Sequence, residues 1–332
     1  MINRRTLMAA AAALAIASPT LAQDRVSDFK PFEAGDIFVA ATIMDNPTDD
    51  HMGTGRIFQY GSDLELKGTL YTKGTKHKIG GLAFAPDGTL WAFAQGTPAI
   101  VEIGSDGIQK PVRNFSNRTL SSVTFADDGN LFFGEHLIGK KLSVPPLTTR
   151  FNLLPGRDVI GDGYVFKFNS DAELIEEFPT DVHGGVAGIH GATSTVLADD
   201  GTRMIYISET GNRVMQYDLA NRKQLPDLKV FDEHEEIFMV LTMMPMVDGS
   251  LLISTGNGMV TLDQNTGEII KYYDMDSGGW AACAPTADGE NIIVGNFFSG
   301  QVVLVSVETG KVVQSDFIGQ NNSLSGVAQY PG

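Results

Sequence analysis

Gly81–Ala94 reads GLAFAPDGTLWAFA: an apolar strand, a tight turn ending in Gly, and a second apolar strand. The same unit returns as SVTFADDGNLFFGE at Ser122–Glu135 and as STVLADDGTRMIYISE at Ser194–Glu209. It returns again as LTMMPMVDGSLLIST at Leu241–Thr255 and as ACAPTADGENIIVGN at Ala282–Asn296. The turn glycines are Gly88, Gly129, Gly201, Gly249 and Gly289, spaced 41, 72, 48 and 40 residues apart, with 43 more to Gly332. A period of ~40–50 residues is that of a propeller blade. The Asp-Gly pair closes each hairpin, because Gly takes the positive φ that a Cβ resists.

Outward from each pair lie two further strands. Examples are Tyr164-VFKFN with Ala172-ELIEEF, Gly258-MVTLD with Glu268-IIKYYD, and Gln301-VVLVSV with Lys311-VVQSDF. Ala99-IVEI and Arg213-VMQYDL fill the same place in other repeats. Polar turns such as Asn265-Thr266-Gly267 and Glu308-Thr309-Gly310 divide them, which makes four strands per blade. No stretch after residue 22 carries a 3.6-residue period with caps, so almost no helix is expected.

The chain ends complete the count. Leu324–Gly332 resembles an inner strand that stops at its turn glycine, while Gly35-DIFVAAT, Gly55-RIFQYG and Glu65-LKGTLYT resemble the other three strands of a blade. The sequence therefore predicts an all-β, six-bladed β-propeller with four-stranded blades, its ring closed by pairing the C-terminal strand with the N-terminal strands. Closure removes the open edges that invite aggregation. The 72-residue spacing holds one insertion, at about 137–162, rich in Lys, Pro and Gly. Loops of that length in a compact domain carry function or are disordered. Phe151, Leu153 and Leu154 suggest that this one packs down.

Residues 1–22 read as a signal peptide: Arg4-Arg5, an apolar run over Leu7–Ala17, a break at Ser18-Pro19, and small residues before Gln23. The run is short of the ~20 residues a spanning helix needs. Arg4-Arg5-Thr6-Leu7-Met8 resembles a twin-arginine signal, with an ordinary secretory signal as the alternative. A periplasmic or secreted protein is expected, with residues 23–332 as one propeller domain. The formal net charge of −16, or −18 without the two signal arginines, excludes nucleic acid and anionic lipid as partners of the mature chain. Cys283 is the lone cysteine and reads as a buried small apolar residue.

In a propeller, first strands start and second strands end around one channel mouth. Glu135, Glu209, Asn257 and Asn296 fall at ends of second strands, with His136 beside Glu135 and with Gln95 and Met44-Asp45 at equivalent places. His77, His190 and Trp280 fall at starts of first strands, as do Leu120-Ser121, Ser323-Leu324 and Glu235-Glu236 beside His234. Carboxylate and amide oxygens around one mouth could hold a divalent cation, Ca²⁺ or Mg²⁺ on oxygens alone, or Zn²⁺ or Mn²⁺ with His136 and His190. The alternative is ordinary mouth polarity. No nucleophile elbow, His-Glu-x-x-His, Cys-x-x-Cys or Walker loop is present.

Gly191-ATSTVLADDGTRMIYISETGNRVMQYDL resembles the senescence-marker-protein/gluconolactonase family and the related NHL-repeat propellers, with weaker echoes in the other blades. The resemblance implies a six-bladed propeller, a divalent cation at the channel mouth and often lactone or ester hydrolysis. The chain departs from that pattern in three ways. It has no Glu-Gly-Pro opening a first strand, Glu209 stands where the family has Asp, and His190-Gly191 replaces an Asn-Gly. Two functions follow as expectations. One is an exported metal-assisted hydrolase or lyase acting on a small oxygenated molecule such as a lactone. In it Glu135, Glu209, Asn257 and Asn296 hold the ion, His136 or His190 serves as ligand or base, and His77 and Trp280 contact substrate. The other is a non-catalytic platform that binds a ligand or protein partner through exposed aromatics at Trp280, Phe297 and Phe298.

Overall fold

The computed structural model describes residues 25–46, 49–75, 79–94, 98–115, 118–139, 159–160, 163–181, 190–209, 211–232 and 239–332. Of these, 46, 49–52, 137–139, 159–160 and 190 are described in backbone only. Among the described residues there is no helix, and the strands form six antiparallel sheets, each with a four-stranded path. This is the six-bladed propeller expected from the repeat.

Blade 1 joins the two chain ends. Its inner strand Gly326–Gln329 pairs with Ile37–Asn46 in the register Ile37↔Gln329 to Ala40↔Gly326, and Asp49–Tyr60 and Leu66–Tyr71 follow outward. Blade 2 runs Ile79–Phe84, Leu90–Ala94, Ala99–Ile103, Arg113–Asn114, and blade 3 runs Leu120–Phe125, Leu131–Gly139, Val165–Phe168, Leu174–Phe178. Blade 4 runs Ser194–Leu197, Arg203–Ile207, Arg213–Asp218 and then the short strands Lys223–Gln224 and Lys229–Val230. Blade 5 runs Thr242–Pro245, Leu251–Ser254, Gly258–Leu262, Ile269–Asp274, and blade 6 runs Trp280–Pro285, Asn291–Asn296, Gln301–Ser306, Val312–Phe317.

The repeated turn explains why these segments fold as hairpins. In blade 2, Gly88 N–H donates to Ala85 O and Ala85 N–H to Thr89 O, while Asp87 Oδ1 accepts from Thr89 N–H. That is a type I turn followed by a bulge whose left-handed position falls to Gly88, at φ +80°. Gly129, Gly201, Gly249 and Gly289 repeat it, at φ between +65° and +83°. Side chains alternate across each central strand and pack against the neighbouring blades. Phe133 of blade 3 thus joins Trp91 and Phe93 of blade 2, while Phe132 joins Met204 and Tyr206 of blade 4.

Inner strands crowd near the axis, and small hydroxyl residues bridge them. Ser121 Oγ donates to Ala192 O (3.1 Å), Thr124 Oγ1 to Thr195 O (2.9 Å), Ser194 Oγ to Met243 O (2.8 Å) and Thr242 Oγ1 to Ala281 O (2.7 Å). Ser325 Oγ donates to Ile79 O across the junction of blades 1 and 2. Two second strands continue past the mouth. Ile37–Asn46 pairs with Asp49–Tyr60 out to Asn46↔Asp49. Leu131–Gly139 enters the insertion, where Val159–Ile160 pairs with Gly139 and Ile138. Residues 140–158 and 161–162, and the signal segment, lie outside the described residues.

Candidate functional site

At the mouth end of blade 3 the described residues form a polar cluster. Leu120 pairs with Glu135, so the chain just before the inner strand, Arg118-Thr119, lies beside the end of the second strand. His136 N–H donates to Thr119 O (2.9 Å), and Thr119 Oγ1 donates to His136 O. The segment entering blade 4 then crosses the same strand, with His190 opposite Leu137 and Gly191 opposite His136. The structure thus brings Glu135, His136 and the His190 backbone to one place.

Glu135 is fully buried (0 % exposed). Arg118 Nη1 donates to both of its oxygens at 3.2 Å, and Gly163 N–H donates to Oε2 at 3.0 Å. The guanidinium lies over the Phe166 ring, 4.0 Å from its centroid, and its Nη2 is 3.5 Å from Glu177 Oε1. Burying a carboxylate is costly unless it is paired and hydrogen-bonded, and Arg118 and Gly163 meet both needs. Arg118 thus supplies at Glu135 the positive charge that a bound cation would otherwise bring. His136 is 4 % exposed. It is the next strand residue, so its imidazole lies on the opposite face of the blade, towards blade 4.

The other expected residues sit at the mouth ends of their own blades. Glu209 is half-buried, and its N–H donates to Thr193 Oγ1 at 2.6 Å. Asn257 is exposed between Gly256 and Gly258. Asn296 is fully buried in a turn: its Nδ2 donates to Gly278 O (3.0 Å) and its Oδ1 accepts from Ser299 N–H (2.9 Å). Among the described residues, no three His, Cys, Asp or Glu side chains gather within reach of one ion. His77, Gln95, His234 and Glu235-Glu236 lie outside the described residues, as does the His190 side chain.

One expectation is corrected. Trp280 is not an exposed anchor: it is 4 % exposed and packs with Met246, Met259, Tyr273 and Ile292 between blades 5 and 6. Its place at the start of an inner strand turns the indole into the blade interface, and its Nε1 is buried without a partner among the described residues. Phe298 is instead the exposed aromatic, at 61 %, with Phe297 half-buried beside it. Cys283 is buried as expected, and burial pushes its thiol up to about 12, far from a thiolate nucleophile.

Sequence reasoning missed Arg118, Thr119 and Gly163. A signal for Arg118 existed. A glutamate at the end of a central strand needs a counter-charge, and Arg118 is the basic residue directly before the strand that pairs there.

No protein-family model and no curated protein sequence matches the chain. Solved structures do match in shape. A chain of the nidogen/laminin complex aligns with TM-score 0.59 and 10 % identity, over 88 % of this chain and 97 % of that one. A Bacteroides caccae protein of unknown function aligns with TM-score 0.58 and 12 % identity, over 90 % and 100 %. A streptogramin B lyase aligns with TM-score 0.50 and 14 % identity, over 89 % and 92 %. At such identities the likeness is one of fold.

Proposed function

We propose that this chain is an exported hydrolase or lyase that acts at the propeller mouth on a small oxygenated molecule such as a lactone. The observation that carries the reading is the gathering of polar residues at the mouth end of one strand of blade 3: Glu135 held by Arg118 on one face, His136 next in the strand, and the His190 backbone paired across it. In the proposed chemistry His136 or His190 accepts a proton from water or from the substrate. On the other face of the strand, the Glu135–Arg118 pair holds this end of the blade in place. The streptogramin B lyase of related shape is, by its name, a lyase, which is compatible with this reading.

A divalent cation at the mouth belongs to the same proposal only through Glu209 and Asn257. Glu135 and Asn296 commit their oxygens to Arg118, Gly163 and Ser299. The proposed steps run on protein groups alone. Export through residues 1–22 is likewise proposed from their sequence.

The alternative is a non-catalytic binding platform, favoured by the completeness of the Glu135–Arg118 pair, which is also what a purely structural ion pair looks like. One experiment separates them. Purified protein is assayed on sugar lactones and aryl esters by pH-stat, with elemental analysis of the same sample. The enzyme reading expects turnover that His136→Gln lowers at least about 100-fold, the usual contribution of a general base, with unchanged melting. No turnover on any substrate, together with a metal-free protein, supports the platform.

A further inference from the structure

With 40 acidic and 24 basic residues, the chain has more carboxylates than its arginines need. Five arginines of the propeller each take one. Arg113 pairs with Glu102 (3.1 Å), Arg118 with Glu135 (3.2 Å), Arg203 with Asp200 (2.9 Å), Arg213 with Asp227 (2.7 Å) and Arg222 with Glu176. Arg25 and Arg56 differ. Among the described residues no carboxylate lies within ion-pair distance of either.

The contrast is plain between two third strands. In blade 4, Asp227 grips Arg213 through Nε and Nη2. In blade 1, Arg56 turns to neutral oxygens instead: its Nη2 donates to Gln320 Oε1 (3.2 Å) and Ile318 O (3.4 Å), and the guanidinium lies over Phe58, 4.7 Å from the ring centroid. Its Nε is buried without a partner among the described residues. Tyr71 pairs with Arg56 across the strands, so the two side chains share a face. Tyr71 N–H donates to Ser27 Oγ (3.0 Å), which brings Arg25, two residues earlier, into the neighbourhood of Arg56. Burial chiefly lowers the Arg56 guanidinium from its ordinary value; Tyr71 and Tyr60 oppose this, and the like charge of Arg25 adds to it.

The opposite wall is fixed. Ile318 N–H donates to Gly300 O and Asn322 N–H to Phe298 O, and a Cβ at Gly300 would stand 2.2 Å from Gln320 O. Gln320 is therefore held against the blade 6 turn, and Arg56 spans the seam between blades 1 and 6 to reach it.

A half-buried cation beside a like charge, with no counter-charge, is unfavourable. An anion from solution relieves both arginines, and a guanidinium fork matches two oxygens of one group. We infer that Arg56 and Arg25, with Tyr71 and the Gln320 amide beside them, bind an oxyanion, a carboxylate or a phosphate group, at the seam between blades 1 and 6. Arg56 joins blade 1 to the segment that leads into the closing strand, so the bound anion ties the seam and its binding registers as stability.

The test is thermal melting of the full mature chain in millimolar acetate, inorganic phosphate or chloride at one ionic strength, with NMR of the arginine Nε–H groups on the same samples. Acetate or phosphate is expected to raise the melting temperature over chloride by about 2–4 °C at tenfold above its dissociation constant, and to move the Arg56 Nε–H resonance. Which of the two does so distinguishes a carboxylate from a phosphate ligand. Arg56→Gln should abolish the shift. Arg25→Gln, at an exposed position, should weaken binding about two- to fivefold, the worth of one exposed charge, and it carries the test if Arg56→Gln does not fold. A melting shift in either variant equal to the parent's is a general salt effect on hydration and overturns the site. An Arg56 resonance indifferent to both acetate and phosphate overturns it equally.

Discussion

At Glu135, function and folding cannot be separated by a simple charge removal. The sequence places this carboxylate at the mouth, and the structure adds a half-buried arginine partner. Glu135→Gln removes the buried half of the Arg118 pair and is expected to destabilise the protein by about 2–4 kcal/mol, somewhat below the cost of breaking a fully buried pair because Arg118 is partly exposed and lies near Glu177. Chemical denaturation measures this, and pairing it with Arg118→Gln should recover part of the loss. Wild-type stability in the single variant would show that the ion pair contributes nothing to folding. Gly279 supplies a second residue-scale expectation. Gly279→Ala forces a Cβ into Phe298 and Asn296 at a left-handed backbone position, and should cost about 1–3 kcal/mol. The positions of these residues at the mouth were legible in the sequence; their surroundings were not. Whether Trp280 faces solvent or Met259 depends on blade twist and on which neighbour fills the interface, and neither is written in a linear pattern. Arg118 was legible only through the hairpin pairing that sets Leu120 opposite Glu135, since the two charges are seventeen residues apart in sequence.

The elements that read most clearly were the Asp-Gly hairpins, because one physical requirement, a left-handed residue after a type I turn, writes itself into every copy. The same turns make the fold acid-sensitive. In Asp200, burial alone would raise the carboxyl, but the Thr202 N–H and the Arg203 guanidinium outweigh it and hold the group down to about 2. Asp128 is lowered chiefly by the Asn130 N–H, and Asp248 and Asp288 by the Ser250 and Thr286 hydroxyls. A carboxyl lower in the folded than in the unfolded chain stabilises the fold above its unfolded value of ~3.9, and that stability is lost as pH falls through the folded value. Thermal melting is therefore expected to fall steeply between about pH 4 and pH 2. Asp200→Asn, which keeps an acceptor for Thr202 but cannot titrate, should lose less over that range than the parent. A parent-like acid profile in that variant would place the acid sensitivity elsewhere. Elements with no repeat to announce them were harder to read. The segment before blade 1 packs Phe29 and Phe32 against Phe38, Phe84 and Tyr330, and Asp28 exchanges hydrogen bonds with Thr69 on the outer strand of blade 1. It has no partner of its own kind in the sequence, so nothing in the periodicity marked it.

The ring as a whole depends on one seam, because five blades are continuous in sequence and blade 1 is not. The closing inner strand brings Leu324 onto Gly295 of blade 6, where a Cβ would stand 2.1 Å from its Cδ2, and Gly326 onto Gly80 O of blade 2. Gln329 accepts from Ala287 N–H on one side and donates to Gly35 O on the other. Leu324, Val327 and Ala328 are all buried. The closure was readable from the sequence because the two ends are complementary fragments of one repeat: three strands without a first, and a first without the other three. Removing Leu324–Gly332 deletes two large buried side chains at ~1.5–3 kcal/mol each and bares the ladder edge of Ile37–Asn46, against a net stability of ~5–15 kcal/mol. The truncated chain is therefore expected to lose its cooperative melting transition and to aggregate through the exposed edge of Ile37–Asn46. A synthetic peptide covering residues 323–332 should restore the transition when added during refolding, because the missing strand needs only to pair with Ile37–Ala40 and fill the seam. A truncated chain that melts with the parent, or a peptide that restores nothing to a chain still soluble, would show that the ring is held by its other blades and that the seam is not its weak point.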